Sequence, residues 1–182
     1  GKVNVRSRDT VRSWRKRLGS LGLAASIHMS LKPMTNPIKS AVVEAFKRAG
    51  FVKKSDTWYR ESAETILLAN LQKSQFGEQY YLNLAVWVKA LGEAKWPKEH
   101  QAHVRLRADS LVQPFPVELF DLEKSEGALE DRQARIREAL SQQVLPLFLA
   151  LGTSEGIGDA LRRGRLSAAF IHKSVRDFLP VR

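Results

Sequence analysis

Residues 65–88 read TILLANLQKSQFGEQYYLNLAVWV, and this stretch decides the fold. Its two ends are rich in aliphatic and aromatic residues, whereas residues 74–78 between them are mostly polar and include Gly77. Two such runs joined by a short loop that contains glycine are typical of an antiparallel hairpin. The sequence therefore predicts strands over residues 65–73 and 79–88.

The two strands separate aliphatic from polar residues. Successive side chains of a strand point to opposite faces, so every second residue shares a face. One face is expected to hold Leu67, Ala69, Leu71, Leu82, Leu84, Val86 and Val88. The opposite face is expected to hold Asn70, Gln72, Tyr81, Asn83, Ala85 and Trp87. We predict that the aliphatic face packs on the core.

Outward from the hairpin, the pattern predicts an α+β domain. Asn36 and Pro37 are typical of a helix start, and Gly50 of its end. Further strands are expected at 51–52, 57–60 and 101–108, and helices at 129–151 (kinked near Pro146), at 154–161 and from Ser167 onward. We expect an antiparallel sheet of four or five strands, with an N-terminal helix and a helical C-terminal third packed on one face.

The charge of the chain is unevenly distributed. Of a net charge of +11, residues 1–28 carry +6, since they hold seven basic residues and one acid. We expect 1–28 to be a basic, disordered tail, with a membrane-surface or nucleic-acid arm as the alternative, and 29–182 to be a single domain. The chain has no cysteine, which excludes disulfides and thiolate metal sites and fits a reducing compartment. No apolar run approaches the roughly 20 residues that span a bilayer.

The polar face of the sheet is the best candidate for a binding site. If residues 101–108 pair with the hairpin, alternation adds His103, Arg105 and Arg107 to that face. Arginine forks, amides and aromatic rings on rigid strands suit a polar or anionic ligand. The predicted ligand-binding set is Asn70, Gln72, Tyr81, Asn83, Trp87, His103, Arg105 and Arg107. The alternative is an ordinary solvated sheet face, which is polar without a function.

Other chemistries have weaker support. His100 and His103 are three residues apart, which on a strand places them on opposite faces, so we expect no metal site. Residues 152–158 contain three glycines but lack the lysine of a nucleotide-binding loop, and we expect no cofactor. Arg162, Arg163 and Arg165 form a basic patch that is either a phosphate-contacting surface or a solvated helix end.

Several short motifs occur together in this chain: FVKK at 51–54, TWYRE at 57–61, NLQKS at 70–74, YYLNL at 80–84 and HVRLR at 103–107. In that order the chain resembles a bacterial "domain of unknown function" family, the one numbered 4304, from about Ile38 to Leu122. The resemblance implies a bacterial cytoplasmic protein and supports the strand assignment. It supplies no catalytic or ligand-binding residue.

From these observations we interpret the chain as a non-enzymatic binding module that recognises a protein partner or an anionic ligand on its polar sheet face. A nucleic-acid-associated protein using the tail and residues 162–165 is the first alternative. An enzyme with a pocket between the sheet and the loop at 90–98 is the second.

Overall fold

The computed structural model describes residues 36–124 and 128–179, so the expected tail at 1–28 lies outside the described residues. The strands are β1 (Val52–Lys54), β2 (Thr57–Glu61), β3 (Thr65–Lys73), β4 (Tyr80–Val88), β5 (Val104–Arg107) and β6 (Phe170–Ile171). The α-helices are α1 (Pro37–Arg48), α2 (Ala108–Leu111), α3 (Leu129–Ala139), α4 (Leu145–Ala150), α5 (Ser154–Arg162) and α6 (Lys173–Phe178). Short 3₁₀ turns lie at Lys89–Leu91, Glu99–Gln101 and Val117–Phe120.

The strands form one antiparallel sheet in the order β1-β2-β3-β4-β5-β6, so each strand pairs with its neighbour in sequence. The α+β class is confirmed. The described residues contain six strands rather than four or five, because residues 170–171 pair with β5 instead of continuing a helix that starts at Ser167. The last helix begins at Lys173.

Helix α1 starts and ends where the sequence predicts. The Asn36 side chain accepts hydrogen bonds from the backbone N–H groups of Ile38 and Lys39, both at 3.0 Å. Pro37 occupies the first turn, where its missing N–H costs nothing. Gly50 has φ = 80°, the left-handed conformation in which a chain most easily leaves a helix.

The main core lies between one face of the sheet and the helices. Leu67, Ala69, Leu82, Leu84, Val86 and Val88 all belong to it and are buried. From the helical side, Phe46, Ile136 and Phe148 are completely buried against them. Leu71 is only partly buried at the edge of this core. The predicted face assignment is confirmed, since Leu84 pairs with Ala69 and Val86 with Leu67 on the buried side.

The long helix predicted at 129–151 is irregular before Pro146. Residues Leu140–Val144 form a π-helical turn between α3 and α4. A proline cannot donate to the carbonyl four residues earlier and crowds it, which accounts for the irregular turn in front of it. Within the described residues no single helix is long and apolar enough to cross a membrane, although the bent pair Leu129–Ala150 and Ser154–Arg162 meets that criterion by length and composition.

The turn between β2 and β3 anchors the start of α5. The hydroxyls of Ser62 and Thr65 both donate to the carbonyl of Gly152, at 2.7 and 3.0 Å. The Glu64 carboxylate accepts the backbone N–H of Ser154 at 2.8 Å. Residues 152–158 are therefore the capped beginning of a helix, with Thr153 as the N-cap residue.

A second, smaller apolar cluster covers part of the opposite face of the sheet. Tyr59, Ile66, Leu68, Ala85 and Ala102 are its buried members, and Trp87 packs against them. The segment between β4 and β5 covers this cluster, since Pro97 accepts a hydrogen bond from the Tyr59 hydroxyl at 3.2 Å and the Trp96 ring meets the Tyr59 ring edge-on. Only the remaining part of that face is left for polar side chains.

Candidate functional site

Six of the eight predicted site residues lie together on the part of the sheet that the loop leaves uncovered. Asn83 of β4 pairs with Asn70 of β3 on one side and with Arg107 of β5 on the other. Tyr81 pairs with Gln72, and Arg105 lies two residues before Arg107 on the same side of β5. We call these six residues the arginine face: Asn70, Gln72, Tyr81, Asn83, Arg105 and Arg107.

The amide side chains of the arginine face are bonded to one another. The Asn83 side-chain nitrogen donates to the Asn70 oxygen and to the Gln72 oxygen, both at 3.0 Å. Asn83 thereby uses its donor group, and the oxygens of its two neighbours are turned toward it. The amide nitrogens of Asn70 and Gln72 are consequently turned away from Asn83 and can donate to a ligand.

Both arginines lie over aromatic rings. The Arg107 guanidinium carbon is 4.3 Å from the centre of the Tyr81 ring, and that of Arg105 is 4.1 Å from the centre of the Phe170 ring. The Tyr81 hydroxyl is fixed in turn by donating to the Gln79 side chain at 2.9 Å. Stacking of this kind holds a planar guanidinium in one orientation without using its N–H donors.

Neither arginine has an acidic partner in the described part of the chain. The ion pairs found among residues 36–124 and 128–179 include neither Arg105 nor Arg107. The Nε atom of Arg105 is buried and has no hydrogen-bond acceptor among those residues. Two positively charged side chains therefore lie next to each other on β5, and no carboxylate among the described residues forms an ion pair with either of them.

The recess described beside Arg107 is small. A recess lined by Tyr81, Arg107 and Asp109 has a volume of about 20 Å³, which is room for about one water molecule. Pockets for drug-sized ligands have volumes of roughly 300–1,000 Å³. This recess is therefore too small to hold an organic ligand of that size.

Trp87 and His103, the other two predicted site residues, lie at the covered end of the same side of the sheet. The Trp87 indole N–H donates to the Gly92 carbonyl at 3.2 Å, and its ring centre is 4.3 Å from that of His103. His103 is 8 % exposed, and its Nδ1 accepts the backbone N–H of Val88 at 3.0 Å. Burial, assisted by the charge of His172, lowers the pKa of His103 below its usual value. Both residues are thus part of the packing at the covered end of the sheet.

Phe170 is the member of the site that sequence reasoning missed. It pairs with Arg105 through β6 and is 49 % exposed, but residues 167–178 read as one helix by their apolar spacing. A two-residue strand has no periodicity of its own. Only pairing with β5 places Phe170 here, and the sequence carries no local signal of that pairing.

The family comparison covers most of this architecture. A model of a domain of unknown function, DUF4304, matches residues 42–150, which is more than half of the chain. The chain belongs to this family. The match to DUF4304 extends past Leu122, where the sequence resemblance was expected to end, and includes α3 and α4. Neither the curated proteins nor the solved structures give a significant match.

The DUF4304 match contains the whole arginine face but neither Phe170 nor the basic patch at the end of α5. In that patch, Arg162 and Arg163 both contact Asp159, at 3.7 and 2.8 Å, and Arg165 is exposed. Two of the three predicted nucleic-acid contacts are therefore partly neutralised. The described residues also contain no cluster of three or more histidine or acidic side chains able to hold a metal ion.

Proposed function

We propose that this protein is a non-enzymatic binding module whose arginine face recognises an acidic segment of a protein partner. The observation that carries the proposal is the pair of guanidinium groups, Arg105 and Arg107, each stacked on an aromatic ring and without a described carboxylate partner. Charge-assisted hydrogen bonds from such forks to carboxylates are among the stronger polar contacts in proteins.

The shape of the site favours a protein segment over a small anion. Strands β3, β4 and β5 present amide donors and two cations on one side of the sheet, and the recess beside Arg107 is small. A peptide chain lying across this surface could offer carboxylates to Arg105 and Arg107 and carbonyl groups to Asn70 and Gln72 at the same time. A free small anion would bind to the arginines or to the amides, but not to both groups at once.

We further propose that the protein acts in the cytoplasm of a bacterium, which the absence of cysteine supports. Nucleic acid is the less favoured ligand of the two, because Asp159 lies against both Arg162 and Arg163. The arginine face and this patch can be compared directly, since each contains two arginines that can be removed together.

The test is a titration of the full chain against a fluorescent peptide of alternating glutamate and serine, followed by anisotropy. The double variant Arg105→Ala/Arg107→Ala should weaken binding by at least about tenfold, because each charged hydrogen bond contributes roughly 1.5–3 kcal/mol. The matched control Arg162→Ala/Arg163→Ala removes the same charge and should change the affinity less than about twofold.

Equal losses in the two double variants would show that the peptide responds only to net charge, and would refute the proposal. An unchanged affinity in Arg105→Ala/Arg107→Ala would refute it as well. A single-stranded oligonucleotide provides the competing outcome: tighter binding than the peptide, lost with Arg162 and Arg163 and strongly weakened by salt, would favour the nucleic-acid alternative.

A further inference from the structure

A second arginine site lies on the helical side of the chain, at the start of α3. Arg132 is only 5 % exposed, and its Nη1 atom is buried with no hydrogen-bond acceptor among the described residues. None of the ion pairs within residues 36–124 and 128–179 includes Arg132. A buried guanidinium without a partner strongly destabilises a folded protein, so a counter-charge is expected here.

One described acid acts on Arg132 but is engaged elsewhere. Asp121 is the carboxylate whose charge acts on Arg132, but it accepts the backbone N–H of Glu123 at 3.0 Å and lies 3.7 Å from the Lys124 ammonium. Its field only partly offsets burial, and the pKa of Arg132 remains below its usual value. Asp121 therefore does not complete the hydrogen bonding of the guanidinium.

Arg132 lines a cavity of about 70 Å³. A single water molecule needs about 10–15 Å³ measured in this way, so the cavity has room for several atoms of the size of oxygen. The cationic groups around it are Lys124, Arg132 and Arg135, and the acidic ones are Glu118 and Asp131, which leaves a net charge of +1 on its walls.

The N-terminus of α3 opens into the same cavity. Ala128 and Asp131, the N-cap residue and the third residue of this 11-residue helix, both line it. The alanine side chain offers no oxygen, and the first N–H groups of a helix have no acceptor within the helix. Free N–H groups at a helix start, together with the helix dipole, are a common binding site for anions.

We propose that this cavity binds a small tetrahedral oxyanion of the phosphate class, held by the Arg132 guanidinium and by the first backbone N–H groups of α3. The site is distinct from the arginine face, which lies on the sheet. Its ligand is a small ion held in a cavity of about 70 Å³, whereas the proposed ligand of the arginine face is a peptide segment.

The test uses thermal unfolding of the full chain in inorganic phosphate, compared with sodium chloride at equal ionic strength. At about ten times the dissociation constant, phosphate should raise the midpoint by roughly 3–6 °C, as expected for one site on a chain of this length. The variant Arg132→Met replaces the charge by an apolar side chain of similar length and should abolish this shift.

Two controls identify the site. Arg137→Met changes an arginine of the same helix that is paired with Glu44, and should keep the phosphate shift. Arg105→Ala/Arg107→Ala should keep it too, so that failure of the arginine face and failure of this cavity are told apart. If Arg132→Met does not fold, Arg132→Lys should show a smaller shift than the wild type, because lysine lacks the planar fork.

The proposal is overturned if neither phosphate nor sulfate shifts the midpoint of the wild type beyond chloride, which is the result expected for a cavity filled by water. It is also overturned if Arg132→Met or Arg132→Lys retains the full shift, or if the shift disappears in Arg105→Ala/Arg107→Ala alone.

Discussion

Removal of the Phe170 ring is the most informative perturbation of the arginine face. The ring is 4.1 Å from the Arg105 guanidinium and is 49 % exposed, so Phe170→Ala removes little from the core. An exposed cation–π contact contributes about 0.5–1 kcal/mol. In the free protein we therefore expect a decrease of that size in the free energy of unfolding, or roughly 1–4 °C in the midpoint.

The effect on binding follows from the freedom that Arg105 regains. Immobilising a long side chain on binding costs about 0.5–1.5 kcal/mol, so a guanidinium that has lost its stacking partner should bind the acidic peptide about 2- to 12-fold more weakly. The assay is a double-mutant cycle of Phe170→Ala and Arg105→Ala, with peptide affinity measured by anisotropy and stability by urea unfolding.

In the Arg105→Ala background, Phe170→Ala should leave the affinity unchanged, because the ring then has no guanidinium to orient. If Phe170→Ala weakens binding equally in both backgrounds, the ring contacts the peptide itself and the reasoning about stacking is refuted. The same double-mutant cycle measured by urea unfolding without peptide gives a second test. If it shows no coupling between Phe170 and Arg105, the reasoning about stacking is refuted independently of any ligand.

Three further predictions concern stability. His103 has a lowered pKa and accepts the Val88 N–H through Nδ1, so on acidification this histidine is protonated in the unfolded chain before it is protonated in the folded one. The free energy of urea unfolding should therefore fall as the pH drops below about 6.5, by at most about 1.4 kcal/mol per pH unit from this group. The variant His103→Asn should make this pH dependence weaker. The hydrogen bonds from Ser154 lower the pKa of Glu64, so the contribution of Glu64 to folding stability is present above the usual carboxyl pKa and is lost in acid. Glu64→Gln should therefore lower the melting midpoint at pH 7 but not near pH 3. Equal effects at both pH values would contradict this assignment. Gly50→Ala should lower the free energy of unfolding in urea by about 1–2 kcal/mol, because alanine is strained in the left-handed conformation of this residue. No steric clash adds to this effect, since nothing lies within 4 Å of an added Cβ. An unchanged stability would show that the end of the helix relaxes.

Strand alternation accounts for most of what could be predicted. The register of β3 and β4 follows from the aliphatic row that must be buried, because a slip of one residue would turn Leu84 and Val86 outward. Once that register is set, Asn70, Asn83 and Arg107 have only one side on which to emerge, and they emerge together. Local side-chain chemistry is enough for this inference.

The coverage of the sheet could not be predicted in the same way. Trp87 and His103 have the correct parity for the polar face, but the segment between β4 and β5 folds over them. The alternation of side chains along a strand predicts which side of the sheet a residue faces, but it does not predict which segment covers that side. The position of a loop depends on contacts such as that between the Tyr59 hydroxyl and Pro97, which join residues distant in sequence.

The buried position of Arg132 also had no signal in the sequence. Its neighbours in α3 are mostly charged, and the helix reads as a polar one with Ile136 and Leu140 as its apolar contacts. Arginine is rarely buried without a partner, so an exposed position is the natural expectation. Among the described residues, Glu118 and Leu119 of the 3₁₀ turn at Val117–Phe120 line the same cavity as Arg132, and this tertiary contact has no local signal.

The lengths of the outermost strands limit how this protein can meet other chains. β1 has three residues and β6 has two, whereas β3 and β4 in the middle have nine each. Among the described residues, a neighbouring polypeptide that extended the sheet would therefore find only a few backbone groups at either border with which to pair. Pairing of two molecules border to border is disfavoured for the same reason.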